Sequence, residues 1–468
     1  MIAPVSAPVP VVPGSVAVPG PVPVALTLPG PVGVSPLLPV VTPPLSVGPP
    51  VIVTVAVTVA VAEFESLSAR PASPQPVTQS PNTHPRPTPR TTPIPPPYRS
   101  PASAQAGRLP HGEAVTVRRV HALQGLEPRA LARLFPELSP AEARRVLSGV
   151  MRRGPAVLAA PIAQVRREGL AALRARAHVP TLELRSERAS QVDAFVKYLF
   201  VAPDAALLES VRIPLAQPDR FTVCVSSQVG CALACAFCAT GRLGLTRNLE
   251  AWEIVEQVRL VRARLPAGAR VRGVVFQGMG EPLANLDRVL AAIAVLSDPS
   301  ALAIDARAIT VCTAGLPAGI RRLAREAPQV RLGLSLASAR PELRRRLMPI
   351  DGAQPLHEAL AAAREHAMLT GLAPMFAVTL LHGHNDGEAD AAALADLVRD
   401  FHARTGLRPR LSLIPYNPIG QGDPFTRSPD AVESAFRDNL AARGVFTHKR
   451  YSGGGDVDAA CGQLAARA

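Results

Sequence analysis

Residues 221–415 alternate between short apolar segments and longer amphipathic ones. Helical patterns such as AWEIVEQVRLVRARL and LHEALAAAREHAML separate six candidate strands, FTVCVSS (221–227), RGVVFQ (272–277), AITVCT (308–313), VRLGLSL (330–336), MFAVTLL (375–381) and LSLIP (411–415). Strands separated by helices form a parallel sheet that the helices cover. Six units are too few for an eight-stranded barrel, so the sequence predicts an α/β fold with a partial (β/α)6 barrel. Functional residues are expected at the carboxyl ends of its strands.

Composition divides the chain into three regions. Residues 1–112 show no apolar periodicity, and 28 of the chain's 51 prolines lie in the first 110 residues. Because proline removes backbone donors and fixes φ, we expect a Pro-rich, low-complexity, disordered tail. Residues 113–180 predict a small helical accessory module, with Ser139 as an N-cap before Pro140. Residues 181–468 form the barrel domain, which begins with short strands in TLELRS, AFVKYLF and LLESVRIP.

The charge of the chain is strongly basic. The formal net charge is +14, and residues 1–110, with five arginines and two glutamates, contribute +3 of it. The other +11 belongs to the remaining residues, which favours a polyanionic partner, nucleic acid first. The arginines of the accessory module are candidates for RNA contact. The alternatives are a solvated helix face and the Arg-rich composition that a GC-rich genome produces.

Membrane insertion and export are not expected. The apolar segment VIVTVAVTVAVA (51–62) is shorter than the roughly 20 residues of a membrane helix. The first basic residue is Arg70, so no basic region precedes it as in an ordinary secretory signal. Six cysteines in 468 residues do not make a disulfide framework. We therefore expect a cytoplasmic protein whose thiols serve metal binding or catalysis.

Four of the six cysteines lie in one short segment, CVSSQVGCALACAFC, directly after the first predicted barrel strand. Cys231, Cys235 and Cys238 have the spacing C-x3-C-x2-C. Zinc would need a fourth protein ligand, and none stands nearby. An iron–sulfur cluster can instead be held by three thiolates, which leaves one iron open to a substrate or cofactor. The alternative is that the three cysteines are small core residues.

The C-x3-C-x2-C spacing after a first βα strand resembles the radical S-adenosylmethionine (SAM) superfamily. The segment GMGEP (278–282), after the second strand, resembles the glycine-rich SAM-binding segment of that superfamily. The motifs CVSSQVGC, GMGEPL, LIPYNP and DAACGQL follow in that order. In this combination residues 120–465 resemble the RlmN/Cfr-type RNA methyltransferases, and residues 181–468 are then expected to be the radical SAM catalytic domain.

The resemblance implies a set of cofactor-binding residues. Cys231, Cys235 and Cys238 are expected to hold one [4Fe–4S] cluster. Glu281 is expected near the methionine ammonium of SAM. The complete set of expected SAM contacts is Gly280, Glu281, Cys312, Ser335, Leu336, Ala337 and Asn417. From the residues alone, Asn417 could equally belong to an Asn-Pro turn, and Ser335 could be an ordinary hydroxyl at a strand end.

The resemblance also implies why two more cysteines are needed. An adenine ring carbon is too electron-poor to attack SAM, so Cys461 is expected to carry the methyl group as S-methylcysteine. Cys224 is expected to resolve the resulting protein–RNA link, through a transient disulfide with Cys461. Glu209 is expected to accept the proton of the substituted carbon. Without these motifs, the two thiols would be interpreted as core residues and Glu209 as a surface strand residue.

The sequence departs from the family pattern at three places. Cys312 stands where the family usually has Ser, and Ala337 where it usually has His. The acidic GDD run before the C-terminal cysteine is GGGDVD here, which keeps Asp456 and Asp458. These departures alter contacts expected to touch SAM or the substrate, and they leave the cluster cysteines, Cys224 and Cys461 in place.

The function that the resemblance implies is methylation of an adenosine ring carbon in rRNA, tRNA or both, with carbon 2 preferred to carbon 8. It implies two SAM molecules per turnover, an electron donor such as flavodoxin, and a monomer. One alternative is a radical SAM enzyme that acts on a peptide or small molecule, which would leave Cys224 and Cys461 without a role. Another is a non-catalytic iron–sulfur RNA-binding protein, which has no need of a methylatable thiol.

Overall fold

The structure, a computed structural model, describes residues 120–420, 422–449 and 453–465. The predicted Pro-rich tail, residues 1–112, lies outside the described residues, as does the start of the predicted accessory module, 113–119. No helix among the residues that the structure describes combines the length and the apolar character needed to cross a membrane.

The first described residues are mainly helical. They form α1 (Pro128–Leu134), α2 (Pro140–Arg153) and α3 (Arg167–Arg176), with a parallel pair of two-residue strands, β1 (His121–Ala122) and β2 (Ala177–His178). The N-cap prediction is confirmed: Ser139 and Glu142 form a capping box, and Pro140 is the first helical residue. Apolar residues of these helices share one hydrophobic cluster with the barrel. That 113–180 is a separate module stays a prediction.

Four antiparallel strands come next, β3 (Glu183–Ala189), β4 (Val196–Val201), β5 (Leu207–Pro214) and β6 (Arg220–Cys224). The short strands predicted before the barrel are thus confirmed. Alternation along β4 gives it two different faces: Tyr198 and Phe200 belong to the main core, whereas Lys197 and Leu199 point to the opposite face. A separate hairpin follows, formed by β7 (Gln228–Cys231) and β8 (Gly244–Asn248).

The barrel strands continue the same sheet from β6. They are β9 (Arg270–Phe276), β10 (Ile309–Thr313), β11 (Arg331–Ser335), β12 (Met375–Leu380), β13 (Arg410–Pro415) and β14 (Thr447–Lys449), all parallel and paired in this order. All six predicted strands are present, and the predicted partial (β/α)6 barrel is confirmed. The seventh parallel strand, β14, was not predicted, because three residues are too few to show an apolar pattern.

The remaining helices are α4 (Ala239–Leu243), α5 (Ala251–Ala263), α6 (Leu286–Ser297), α7 (Pro317–Glu326), α8 (Pro341–Leu347), α9 (Leu356–Thr370), α10 (Glu388–Thr405) and α11 (Asp430–Ala442). Apart from α4, which lies in the cysteine loop, they occur in the connections between parallel strands. Parallel strands end at the same edge of a sheet. The loops after β6, β9, β10 and β11 therefore meet at one edge, where the predicted site residues lie.

Candidate active site

The cysteine loop is carried by the β7–β8 hairpin. Cys231 is the last residue of β7, and Cys235 and Cys238 lie in the turn before α4, where the Cys238 N–H donates to the Cys235 carbonyl at 3.2 Å. A Cβ on Gly230 would lie 1.9 Å from the carbonyl oxygen of Gly244. Only glycine allows this approach of the two strands, and Gly230 also has a positive φ of 76°. The hairpin therefore fixes where the cysteine loop begins.

Burial raises the pKa of each loop thiol. For Cys231 it raises the pKa to about 12, and for Cys235 and Cys238 it raises the pKa above the usual range. The charges of Cys231 and Cys238 also raise the pKa of Cys235, so the three sulfurs lie within electrostatic range of one another. Backbone N–H groups of Thr240 and Gly241 oppose the burial effect at Cys238, because they stabilise its thiolate. Burial thus favours the neutral thiol at each of the three positions.

This donor set suits an iron–sulfur cluster better than a single ion. In the described parts of the chain, no three Cys, His, Asp or Glu residues are grouped so that they could hold a metal ion. A [4Fe–4S] cluster binds each thiolate to a different iron, so its ligands stand further apart than those of one ion. Three half-buried cysteines in one loop, with N–H donors directed at the sulfur of Cys238, fit such a cluster with one iron left for SAM.

The GMGEP segment packs closely on the beginning of the cysteine hairpin. The N–H of Gln228 donates to the carbonyl of Met279 at 3.2 Å, and its side chain accepts a hydrogen bond from the Glu281 N–H at 2.8 Å. Gly280 has a φ of +100°, and a Cβ there would lie 2.5 Å from the Cβ of Gln228. Glycine is therefore required at this position, and the segment is held next to the loop that carries the cluster cysteines.

Glu281 is buried at the carboxyl edge of the sheet. Its carboxylate accepts hydrogen bonds from the N–H groups of Leu283, at 3.0 Å, and Ala314, at 2.8 Å. Burial raises the pKa of Glu281, and these two N–H donors partly oppose the increase. The side chain thus connects the ends of β9 and β10. These hydrogen bonds fix the position of the carboxylate that is expected to contact the ammonium group of SAM.

Arg344 of α8 connects the next two strand ends. This arginine is fully buried. Its guanidinium donates to the carbonyls of Ala314, at 2.6 Å, Ser335, at 2.9 Å, and Leu336, and it pairs with Asp351 at 2.9 Å. Sequence reasoning missed it, because it is one of three consecutive arginines in PELRRRL. The expected SAM contacts Ser335 and Leu336 therefore have their carbonyls fixed by a buried cation.

The two residues that depart from the family pattern lie in different surroundings. Cys312 is buried in an apolar cluster with Cys224. Ala337 is buried in another cluster, against which Cys235 packs, and it has a positive φ of 56°. Its carbonyl accepts a hydrogen bond from the side chain of Asn385 at 2.7 Å. Cys312 is thus associated with the predicted catalytic thiol and Ala337 with the cluster loop.

The segment that carries Cys461 is attached to the cysteine loop and to the loop after β13. Its hydrogen bonds include, donor first, Ala239 N to Gly462 O (2.8 Å), Asn417 Nδ2 to Cys461 O (3.4 Å), Gln463 Nε2 to Pro418 O (3.0 Å) and Thr240 Oγ1 to Leu464 O. The charge of a Cys461 thiolate raises the pKa of Cys238, so the two sulfurs are near each other. Asn417, expected at SAM, also contacts the Cys461 backbone.

Cys224 and Cys461 line the same small cavity of about 40 Å³. Val211 and Gln277 line it as well. None of the six cysteines, all of which the structure describes, forms a disulfide. The structure therefore brings the two predicted catalytic cysteines to one cavity in their reduced form, and the predicted transient disulfide is a state that this structure does not contain.

Glu209 faces the same side of the sheet as this cavity. In the antiparallel register Leu199 lies opposite Glu209, and Val211, two residues further along, lies opposite Cys224. Glu209 is 1% exposed; its Oε1 lies 2.7 Å from Nζ of Lys197, and its Oε2 accepts from the Ala465 N–H at 2.9 Å. Sequence reasoning found Glu209 and missed Lys197, although the alternation in AFVKYLF, which places Lys197 opposite the core face, was a usable signal.

Comparisons with known proteins agree with this arrangement. The radical SAM superfamily matches residues 225–395. A probable RNA methyltransferase of Sorangium cellulosum is 61% identical over 345 residues, covering 69% of this chain and 87% of that protein. The dual-specificity RNA methyltransferase RlmN of Syntrophobacter fumaroxidans is 44% identical over 283 residues, covering 60% of this chain and 79% of that protein.

A solved structure extends the likeness to the fold. The crystal structure of a radical SAM methyltransferase from Sphaerobacter thermophilus is 37% identical, with a TM-score of 0.66, and the match covers 74% of this chain and 100% of that chain. Together with the cysteine loop, the GMGEP segment and the C-terminal cysteine, these matches cover the barrel and the site at its edge. The chain therefore belongs to the radical SAM superfamily and, within it, to the RlmN/Cfr-type family of RNA methyltransferases.

Proposed function

We propose that the enzyme methylates a ring carbon of adenosine, carbon 2 in preference to carbon 8, in ribosomal RNA, transfer RNA or both. The observation that carries the proposal is the cavity shared by Cys224 and Cys461, on the sheet face that also bears Glu209. A methyl-cysteine route requires two thiols and a carboxylate: the two thiols line this cavity, and Glu209 lies two residues from its lining residue Val211 on the same face of β5. In a radical SAM enzyme that acts on a peptide or small molecule, Cys224 and Cys461 would have no catalytic role.

Cofactor binding is assigned to the residues at the carboxyl edge of the sheet. Cys231, Cys235 and Cys238 hold the [4Fe–4S] cluster. The assigned SAM contacts are Gly280, Glu281, Cys312, Ser335, Leu336, Ala337 and Asn417. When bound, the cluster and two SAM molecules per turnover supply the methyl group and a 5′-deoxyadenosyl radical. Support for this assignment comes from the fixed positions of Glu281, Ser335 and Leu336.

Three residues carry the chemistry on the protein side. Cys461 carries the methyl group as S-methylcysteine. After one hydrogen atom of that group has been transferred to the 5′-deoxyadenosyl radical, its carbon forms the bond to the adenine ring. Glu209 takes the proton from the substituted ring carbon. Once the adduct has also given up one electron, which would return to the cluster, Cys224 attacks the Cys461 sulfur. The released methylene carbon takes a proton to become the methyl group of the RNA, and a Cys224–Cys461 disulfide remains. The shared cavity supports this last step, because the two thiols line the same space.

The proposal includes a one-electron donor such as flavodoxin, a monomeric enzyme and a cytoplasmic setting.

The experiment is mass spectrometry on protein reconstituted anaerobically with iron and sulfide. SAM is added without RNA, and the proposal predicts one methyl group on the peptide that contains Cys461. RNA is then added, and nucleoside analysis of the product distinguishes 2-methyladenosine from 8-methyladenosine. Cys461→Ala should abolish both signals. Cys224→Ala should keep the methylated Cys461 and accumulate a covalent protein–RNA species.

Cys312→Ala removes a buried thiol assigned to SAM, so it should weaken SAM binding and should not accumulate the covalent protein–RNA species. An unmethylated Cys461 in protein with an intact cluster and bound SAM would overturn the methyl-cysteine route. The peptide or small-molecule reading would then replace it.

A further inference from the structure

A second and larger cavity lies beside Glu209. Its volume is about 410 Å³, within the range of small-ligand sites. Four parts of the chain form it. Strand β3 contributes Arg185 and Arg188, and β4 contributes Lys197. The loop after Asn417 contributes Ile419, and the C-terminal segment contributes Gln463 and Ala465. We call this space the basic cavity.

The basic cavity and the cysteine cavity lie along one face of the sheet. Glu209 and Val211 alternate on the same face of β5, and Val211 both pairs with Cys224 and lines the cysteine cavity. On the other side of Glu209, Lys197 and Ala465 both contact its carboxylate and line the basic cavity. Glu209 therefore stands between the two spaces, and a group that reaches Glu209 has the basic cavity as its neighbour.

The lining of the basic cavity carries three cationic side chains, Arg185, Arg188 and Lys197, and one carboxylate, Asp458. The charge of Lys197 is matched by Glu209 at 2.7 Å. Among the described residues, Arg188 has only a long ion pair with Asp458, at 3.7 Å, and both of these side chains are more than half exposed. An exposed pair of this kind contributes little energy and can be exchanged for another anion. Arg185 makes no ion pair within the described parts of the chain. Two guanidinium groups thus remain available to an anionic ligand.

The chemistry of these groups selects a phosphodiester. Guanidinium groups bind phosphate oxygens in a forked geometry, and contacts of this kind position a nucleic acid without reading its sequence. A nucleotide that places its base at Glu209 and Cys461 must place its sugar and phosphate a few bonds away. If the enzyme has the proposed function, this sugar–phosphate backbone can lie in the basic cavity, on the side of Glu209 away from the cysteine cavity.

We propose that the basic cavity binds the sugar–phosphate backbone next to the target adenosine, with Arg185 and Arg188 contacting the phosphate. Lys197 stays on Glu209 and keeps this carboxylate in place at the border of the two cavities. This inference rests on the proposed function, since it assumes an RNA substrate whose adenine reaches Glu209. It adds the residues that hold the substrate backbone at the site.

The test is RNA binding by the reconstituted full-length enzyme. The variant is Arg185→Gln/Arg188→Gln, and the matched control is Arg399→Gln/Arg404→Gln, two exposed arginines of α10 that also pair with nearby carboxylates. The probes are an unmodified tRNA transcript and an unmodified rRNA fragment, measured in parallel over a range of salt concentrations. Methylation of Cys461 by SAM without RNA is measured for every protein.

For the probe that the wild type binds, the variant should raise the Kd about tenfold or more at low salt. Its plot of log K against log salt should be flatter by about one to two units, because two phosphate contacts are lost. The control pair should behave as the wild type. The affinity for SAM and the methylation of Cys461 should be unchanged in all proteins.

Three outcomes would overturn the inference. One is RNA binding by the variant with the affinity and salt dependence of the control pair. Another is loss of SAM affinity in the variant, which would assign the basic cavity to the cofactor. The last is a wild type that binds neither RNA. Failure of the proposed function has a separate signature: SAM would then not methylate Cys461 in the wild-type protein.

Discussion

Lys197 and Glu209 form a buried ion pair across neighbouring strands, with Nζ 2.7 Å from Oε1. The second carboxylate oxygen accepts a hydrogen bond from Ala465, which is four residues from Cys461. The pair therefore joins the antiparallel part of the sheet to the segment that carries the predicted methyl-carrying thiol. A charged partner and an N–H donor thus hold the two carboxylate oxygens of Glu209 in place.

Glu209→Gln should slow RNA methylation about 10²- to 10⁴-fold, the usual contribution of a positioned base. The amide keeps the size of the side chain and can still accept from Ala465, but it cannot take the proton. Methylation of Cys461 without RNA should remain. The measurements are single-turnover RNA methylation and peptide mass spectrometry.

The control for this variant is Glu256→Gln, which makes the same change in another buried glutamate, paired with Arg259 at 2.6 Å. Glu256 lies on α5, outside both cavities, so this variant should lose stability and keep the methylation rate. RNA methylation by Glu209→Gln within tenfold of the wild-type rate would remove Glu209 from the role of base.

The barrel was predictable from the sequence because its strands are buried on both faces. Runs such as AITVCT and MFAVTLL therefore show continuous apolar, β-branched sequence between helical patterns. The cysteine loop was equally visible, since its spacing is local. The strand β14 could not be predicted, because Thr447–Lys449 is too short to show an apolar pattern and is recognised as a strand by its pairing with β13.

The contacts that assemble the site were not predictable, because they join distant parts of the chain. Ala465 and Glu209 are 256 positions apart, and nothing in either segment indicates the other. Arg344 shows the same limit within one helix. In α8 the residues Leu343, Arg344 and Leu347 are buried, whereas Arg345 is exposed. The inward arginine is selected by backbone carbonyls at the ends of other strands. The positions of those carbonyls cannot be predicted from the sequence of α8.

Arg344→Met should lower the free energy of unfolding by about 3–5 kcal/mol, the typical cost of removing one partner of a buried ion pair. Arg344 and Asp351 are 0% and 2% exposed, so the variant leaves a buried, unpaired carboxylate. Arg344→Met/Asp351→Leu should recover part of the loss, since it removes the second charge as well. Denaturant unfolding at constant m value measures both effects.

Arg345→Met serves as the control for this pair, because its side chain is exposed on the same helix. Its effect should stay within about 0.5 kcal/mol, as for most surface substitutions. A single Arg344→Met variant as stable as this control would contradict the structural role given to the buried pair. A double variant less stable than the single one would contradict it as well.

Gly280→Ala should weaken SAM binding and reduce stability, because alanine meets two obstacles there. The backbone has a φ of +100°, and the new Cβ would lie 2.5 Å from the Cβ of Gln228. Strain of this kind costs about 1–3 kcal/mol before the contact is relieved by moving the GMGEP segment. The SAM affinity of the reconstituted enzyme and the unfolding free energy are measured together.

Gly371→Ala is the matched control for Gly280→Ala. Gly371 ends α9 with a φ of +69°, and nothing lies within 4 Å of a Cβ placed there. This variant should cost roughly 1–2 kcal/mol of stability and leave SAM binding unchanged. Equal effects of the two variants on SAM affinity would show that the close packing at Gly280 has no bearing on the cofactor site.

The cluster-free protein should become less stable as the pH rises above the ordinary thiol pKa of about 8.5. Burial raises the pKa of Cys231 to about 12, so the unfolded chain loses its proton first while the folded chain keeps it. The folded state then binds more protons, and the free energy of unfolding falls as pH increases.

Cys231→Ser removes this titrating group and should make the decline less steep. Denaturant unfolding of the wild type and the variant at a series of alkaline pH values gives the unfolding free energy of each protein. Subtracting one from the other removes the contribution of other groups that titrate in the same range. Identical slopes for the two proteins would mean that Cys231 is not buried as a neutral thiol when the cluster is absent.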